Sequence, residues 1–239
     1  MNLPRRQCRL LVFAKAPQPG RVKTRLARSL GPVTAAHVHQ ALLEHALGLL
    51  AHAPPCPVEL WCAPDCRHTV FHACRQHLKL ALHPQRGLDL GTRMHAAFAA
   101  TLRHARAALL MGSDCPGLTP GRLRQALDAL RHHDAVLIPA RDGGYVLLGL
   151  RRPAPWLFSA MPWGTPAVLD LTRKRLRERD MRWAELAALR DVDETEDLLW
   201  LLREARHTPH LRSLGRRLQA LLPDMDLPGR HLDRRKGSL

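Results

Sequence analysis

The sequence predicts an α/β fold with a mostly parallel central sheet flanked by helices. Short apolar runs alternate along the chain with longer segments whose apolar residues recur at helical spacing. The runs 10–14 and 107–111 are apolar throughout, as strands covered on both faces are. Each ends in a polar loop rich in Gly and Pro, the place where open α/β sheets bind ligands.

In order, strands are expected at 10–14, 58–62, 78–82, 107–111, 135–139 and 145–150, with a short one near 186–189. Helices are expected at 32–52, 65–77, 90–106, 119–132, 165–179 and 194–206. Pro32 opens the first, which carries Ala41, Leu42, His45, Leu49 and Leu50 at helical spacing. Thr119 is an N-cap followed by Pro120 at the first helical position. Gly143 and Gly144 between two apolar runs are a hairpin signal. Domain organisation follows as one α/β unit over 1–206 and an Arg-rich extension over 207–239, with one short helix that frays after Pro223.

The chain has 239 residues, of which 46% are hydrophobic, which excludes disorder throughout. No stretch approaches the ~20 apolar residues of a membrane span. The run 10–14 is too short for a secretory signal and stops at Lys15, so a cytoplasmic protein is expected. The cysteines (Cys8, Cys56, Cys62, Cys66, Cys74, Cys115) are scattered without a CxxC, which favours reduced thiols over zinc. No HExxH or GxSxG occurs, so neither a zinc protease nor an α/β-hydrolase nucleophile is expected.

The net charge is +16, and all but five of the 37 basic residues are arginine, a bias that a GC-rich genome would produce. A positive field attracts anions. With aromatics at 4% there are few platforms for stacking single strands, so nucleic acid is not the expected partner. A homodimer is compatible with the sequence.

The stretch Lys15-Ala16-Pro17-Gln18-Pro19-Gly20-Arg21-Val22-Lys23-Thr24-Arg25 follows the first strand. Gly20 allows close backbone approach, and Lys15, Arg21, Lys23 and Arg25 could cradle phosphates. The plain alternative is a solvated basic loop, and the spacing is not that of a P-loop. Asp114, at the end of the 107–111 run, could hold Mg²⁺ or Mn²⁺ against a diphosphate or merely cap a turn. In Asp191-Val192-Asp193-Glu194-Thr195-Glu196-Asp197, Asp193 could be a second metal ligand, whereas Glu194, Glu196 and Asp197 read as helix N-terminal charge. Asp142, in the turn Arg141–Tyr145, follows a strand expected beside that of Asp114 and could accept an acceptor's proton. Gln85 and Asp89 flank a Gly-bearing strand-to-helix loop suited to reading a base or sugar, with Asp89 or Thr92 alternatively a cap. Trp163 either covers a substrate or packs. No histidine is assigned a catalytic role.

The ordered set LLVFAKAPQPGRVKTRL, QRGLDLGTRM, LLMGSDCPGLTP, PARDGGYVLLGL, MPWGTP and DVDETEDL resembles a bacterial family of small transferases with a Rossmann-like GT-A (nucleotide-diphospho-sugar transferase) fold. These are the radical-SAM/selenodomain-associated transferases, or arsenosugar-biosynthesis-type glycosyltransferases, distantly similar to molybdenum-cofactor and phospholactate guanylyltransferases. The resemblance spans about residues 9–205. It implies phosphate binding by Lys15, Arg21, Lys23 and Arg25, and a divalent metal held by Asp114 and completed by Asp193. It further implies nucleobase or donor contacts at Gln85 and Asp89, and an acceptor-side loop at Asp142, Gly143 and Gly144. The first loop lacks the Gly-Gly-x-Gly-Thr-Arg wording of nucleotidyltransferases, and Asp114-Cys115-Pro116 supplies one carboxylate where many glycosyltransferases have Asp-x-Asp.

The expected function is therefore Mg²⁺- or Mn²⁺-dependent transfer from a nucleoside-phosphate donor, foremost glycosyl transfer from a nucleotide sugar to a small acceptor, with Asp114, Asp142 and Lys23 as catalytic candidates. Guanylyl- or cytidylyl-type transfer to a phosphorylated acceptor is the alternative. A basic nucleic-acid or anion-binding module, and a degenerate transferase fold serving as a partner-binding domain, are the readings from other classes.

Overall fold

A computed structural model describes residues 7–52 and 54–222. The elements in chain order are β1 (Cys8–Lys15), α1 (Thr24–Leu30), α2 (Pro32–His52), β2 (Val58–Ala63), α3 (Thr69–Leu78), β3 (Ala81–Pro84) and α4 (Leu90–Thr101). They continue as β4 (Ala107–Gly112), α5 (Pro120–Ala129), β5 (Ala135–Pro139), β6 (Tyr145–Leu150), α6 (Pro155–Phe158) and α7 (Val168–Glu178). The last are β7 (Trp183–Glu185), α8 (Thr195–His207), a short 3₁₀ turn (Pro209–Leu211) and α9 (Arg212–Leu221).

The strands form one seven-stranded sheet in the order β3-β2-β1-β4-β6-β5-β7. Four of its pairings are parallel, and only β6 runs against its neighbours, β4 and β5. This is the mostly parallel α/β sheet that the sequence predicts. Period-two alternation then builds two cores. Leu10, Val12 and Ala14 of β1 face α2, α3 and α5, whereas Leu11 and Phe13 face α4, α6 and α7. A third cluster joins Leu26 of α1, Val38 and Leu42 of α2, Leu198 and Leu202 of α8, and Leu214 and Leu218 of α9. The described part of the C-terminal extension thus packs on the same body, and Arg217 of α9 pairs with Glu44 of α2. The expected fraying after Pro223 lies outside the described residues.

Several boundaries differ from expectation for identifiable reasons. The strand expected at 78–82 is Ala81–Pro84, because α3 runs on to Leu78 and stops only where Lys79 turns left-handed (φ 53°). The helix expected to reach 106 ends at Thr101, followed by turns at His104 and Ala105. The short strand expected at 186–189 lies at Trp183–Glu185, with Leu189 making only an isolated bridge to Ala140. The strand beside β4 is β6, whereas the sequence reading placed β5 there. A β5–β6 hairpin inserts its second strand next to β4, since antiparallel pairing needs only a tight turn. Helices α1 and α6 were not expected.

The topology fixes where ligands can gather. β1, β4, β5 and β7 all point the same way, so their carboxyl ends share one edge with the start of β6. That edge carries Lys15, Gly112, the 140–144 turn and the segment leading to Asp193.

Candidate functional site

At the centre of that edge, Lys23 stands between two aspartates. Its Nζ donates to Asp114 Oδ2 at 3.0 Å and to Asp193 Oδ1 at 2.6 Å. The lysine side chain is 4% exposed, whereas those of Asp114 and Asp193 are 36% and 40% exposed. Local geometry brings the partners together. A Cβ at Gly112 would lie 2.7 Å from Asp114 Oδ1, so glycine there leaves room for the carboxylate to turn back over the strand end. Val192 N–H donates to the Asp114 carbonyl at 3.1 Å, strapping the Asp193 segment onto the β4 loop. The Asp197 carboxylate accepts from the N–H groups of Asp193 and Glu194 and pairs with Arg190, which shapes the entry to α8. Burial opposes charge on both Lys23 and Asp114, but their attraction outweighs it. The ammonium stays protonated well above the usual lysine range, and Asp114 stays ionised below the usual carboxylate range.

A cavity of about 540 Å³ opens over this trio. Lys15, Arg21, Asp142 and Asp191 also line it. The lining includes the largely apolar side chains of Leu90, Met94, Tyr145, Val146, Trp163 and Val168 as well. Tyr145 and Trp163 meet edge to face at 6.4 Å, and the Tyr145 hydroxyl is buried without a partner. Asp142 accepts the Gly144 N–H at 2.9 Å and so holds its own turn. Gln85, also in the lining, donates to the Trp61 carbonyl at 2.8 Å.

Residues 46–165 match the model of a family described as "Uncharacterized protein conserved in bacteria (DUF2064)". The chain belongs to this family. A candidate nucleotide-diphospho-sugar transferase from Desulfovibrio desulfuricans G20 is 30% identical over 91% of this chain and 97% of its own, with a TM-score of 0.81. A cytidylyltransferase from Leptospira borgpetersenii is 12% identical over 92% of this chain and 98% of its own, with a TM-score of 0.54. A Mycobacterium tuberculosis H37Rv protein, Rv0371c, crystallised with manganese, is 19% identical over 82% and 98% with a TM-score of 0.50. These likenesses place this DUF2064 chain in the nucleotide-diphospho-sugar transferase fold. No curated protein matches the chain significantly in sequence.

Of the residues singled out in this DUF2064 sequence, Lys15, Arg21, Lys23, Gln85, Asp114, Asp142 and Asp193 line one cavity. Gly20, Arg25, Asp89 and Gly143 do not. Gly20 provides an exposed turn, Arg25 pairs with Glu194 at 3.2 Å, and Asp89 accepts from Thr92 N–H as the N-cap of α4. Glu194 and Asp197 cap α8, the role expected from their position at its start. Two lining residues had no assigned role in the sequence reading. His39 is buried on α2, and its ring Nε2 meets the Lys15 carbonyl at 3.0 Å, so that with a carbonyl acceptor this nitrogen donates. Burial keeps the ring neutral, and its Nδ1 has no partner. Asp191 was visible only as part of an acidic run. Cys56, Cys62, Cys66, Cys74 and Cys115 are free thiols, and Cys62 and Cys66 belong to or pack on the core between sheet and α2.

Among the described residues, no group of three or more His, Cys, Asp or Glu side chains is arranged to hold a metal. Asp114 and Asp193 nevertheless present two hard oxygens to one point, the point that Lys23 Nζ occupies. Mg²⁺ commonly uses one or two carboxylates and takes its other ligands from phosphates and water, so the pair fits such an ion together with a donor.

Asp191 titrates unusually. Burial, then repulsion from Asp114, Asp193 and Asp142, pushes its carboxyl up to about 7. An unfolded aspartate ionises near ~3.9, so the folded state favours the neutral acid, and Asp191 costs stability increasingly as pH rises from about 4 to 7. In protein freed of metal, Asp191→Asn is therefore expected to gain on the order of 1–2 kcal/mol at pH 8 and almost nothing near pH 4. Urea melts at the two pH values check this; equal gains at both contradict it.

Proposed function

We propose that this chain is a nucleotide-dependent transferase that moves a glycosyl group from a nucleotide sugar to the hydroxyl of a small acceptor. The observation that carries the reading is the make-up of one cavity. Its lysines and arginine, Lys15, Arg21 and Lys23, come from the end of β1 and the segment after it, and Lys23 pairs with Asp114 and Asp193. The rest of the lining includes Leu90, Met94, Tyr145, Trp163 and Val168 and no other Lys or Arg. A nucleoside diphosphate is matched to that one set of cations. A phosphorylated acceptor would need a second cationic pocket, whereas a hydroxyl acceptor with an apolar face does not.

On this reading Lys15 and Arg21 take the donor phosphates, and Asp114 and Asp193 hold Mg²⁺ or Mn²⁺. The metal supplies Lewis-acid neutralisation of the charge that grows on the leaving diphosphate. The acceptor hydroxyl attacks the sugar carbon, the bond from that carbon to the diphosphate oxygen breaks, and Asp142 receives the hydroxyl proton. His39 holds the Lys15 backbone in place through its carbonyl. Trp163 and Tyr145 shield the reacting centre from water. The family likeness to a nucleotide-sugar transferase agrees with this. The manganese in the mycobacterial complex is that protein's ligand and is consistent with a divalent ion here. We place the transferase unit at 1–206 and the protein in the cytoplasm; no described helix is long and apolar enough to cross a membrane.

A thermal-shift screen of nucleoside di- and triphosphates and nucleotide sugars, with and without Mn²⁺, tests the proposal. The expected result is Mn²⁺-dependent stabilisation by one nucleoside diphosphate and its sugar conjugate, lost in Arg21→Ala. Turnover that releases pyrophosphate in place of a nucleoside diphosphate would favour nucleotidyl transfer. Salt-sensitive binding of duplex or RNA with no nucleotide response would favour the anion-binding module.

A further inference from the structure

We infer that Lys23 is a resident cation of the Asp114–Asp193 pair that exchanges with the divalent metal, so that the two carboxylates hold either the ammonium or the metal but not both. The inference rests on reading this pair as a metal site.

Distance makes the two occupants exclusive. Nζ already bridges the pair, 3.0 Å from Asp114 Oδ2 and 2.6 Å from Asp193 Oδ1, so a metal bridging the same two oxygens would compete for its place. A Mg²⁺ ion sits about 2.1 Å from its oxygen ligands, which would put it in the space of the ammonium and against its like charge. Exposure shows the route of exchange. The lysine is sealed at 4%, but the aspartates remain 36% and 40% exposed and line the cavity, so an ion entering the cavity can reach the carboxylates. The neighbouring ionic groups do not substitute for it, since Arg25 is engaged with Glu194 and Arg190 with Asp197.

The backbone supports the same reading. Lys23 is left-handed (φ 46°, ψ 47°) at the position before α1, and no side chain caps that helix. Lysine gains nothing locally from this conformation, unlike asparagine or glycine. The two ion pairs are the contacts that offset it, which is the pattern of strain retained at a functional site. Once displaced, the ammonium remains on the cavity wall with Lys15 and Arg21, where it adds a third cation toward a donor diphosphate. Lys23 is thereby a positioning residue. It keeps two aspartates compensated before the metal arrives and serves the phosphates afterwards.

The test is Mn²⁺ binding to chelator-treated, nucleotide-free protein, read by the electron paramagnetic resonance signal of free Mn²⁺. Lys23→Met removes the competitor, and Lys23→Gly removes it while suiting the left-handed backbone. Both are expected to bind Mn²⁺ about tenfold or more tightly than wild type, and their melting temperatures are expected to rise more on adding Mn²⁺. Lys23→Arg, which keeps the charge, is expected to stay near wild type, and Asp193→Asn added to Lys23→Met is expected to erase the gain. Unchanged or weaker binding in both Lys23→Met and Lys23→Gly overturns the exchange. The nucleotide screen separates the two readings: a Mn²⁺ gain without any nucleotide response leaves the exchange standing and removes the transferase, and a nucleotide response without the gain does the reverse.

Discussion

Asp114→Asn is expected to lower turnover on an accepted donor by about 10³-fold while the protein stays folded. Asparagine keeps the shape but loses the charge that, on the proposed reading, would hold a divalent ion. Lys23 retains Asp193 at 2.6 Å, so the buried ammonium is not left without a counter-charge. The loss in stability is then that of one charge-assisted hydrogen bond at a partly exposed carboxylate, about 1 kcal/mol. Steady-state kinetics with and without Mn²⁺, set beside urea melts, checks both halves. Wild-type turnover in the variant contradicts the assignment.

Gly143→Ala is the second large effect, and it arises from backbone geometry. Gly143 has φ 90°, and a Cβ there would stand 2.4 Å from the Pro166 carbonyl oxygen and 2.6 Å from its Cα. Neither of those atoms belongs to a flexible side chain. The same glycine carbonyl accepts the Leu169 N–H at 2.9 Å, locking the β5–β6 turn to the start of α7. The substitution must displace either the turn carrying Asp142 and Tyr145 or the segment carrying Trp163 and Thr165. A stability loss of about 2–4 kcal/mol is expected, with turnover down about 10- to 100-fold through misplacement. Gly48→Ala on α2 is the contrast. Its Cβ would meet nothing, and alanine there is expected to gain about 0.5–1 kcal/mol. Equal behaviour of the two variants in urea melts would contradict the geometric argument.

How much was legible in the sequence follows from what each signal measures. Strands β1, β2, β4, β5 and β6 read clearly because both faces are covered, which demands unbroken apolar runs. β7 did not, because Trp-Ala-Glu is a short, partly exposed edge strand whose pairing with β5 is tertiary. α1 was hidden within a cation-rich loop, and only its Leu26 is buried. The strand order was misread because a hairpin signal fixes which strands pair but not which of them meets β4.

The site shows the same limits. Strand-end loops pointed to Lys15, Asp114 and Asp142 because α/β topology collects them at one edge. Asp193 was reached through a motif, and the strap from Val192 N–H to the Asp114 carbonyl is the physical reason it arrives there. No sequence pattern could announce that Lys23 lies between two aspartates 91 and 170 residues away. His39 looked like one more helix residue, since nothing local records that its face meets the Lys15 carbonyl. Asp191 is two residues from Asp193 and looked like solvated charge; its upward shift comes from burial and then from the nearby carboxylates of Asp114, Asp193 and Asp142, which only the fold brings together.

On the proposed function, one diphosphate is held between the Lys15–Lys23 segment and the Asp114–Asp193 pair. Phosphorus-31 relaxation of a nucleoside diphosphate bound to the Mn²⁺-loaded protein measures this most directly. The account predicts that Mn²⁺ coordinates the diphosphate oxygens, giving strong paramagnetic broadening that disappears in Asp114→Asn. Broadening that persists undiminished in Asp114→Asn, or bound diphosphate untouched by the ion, would contradict it.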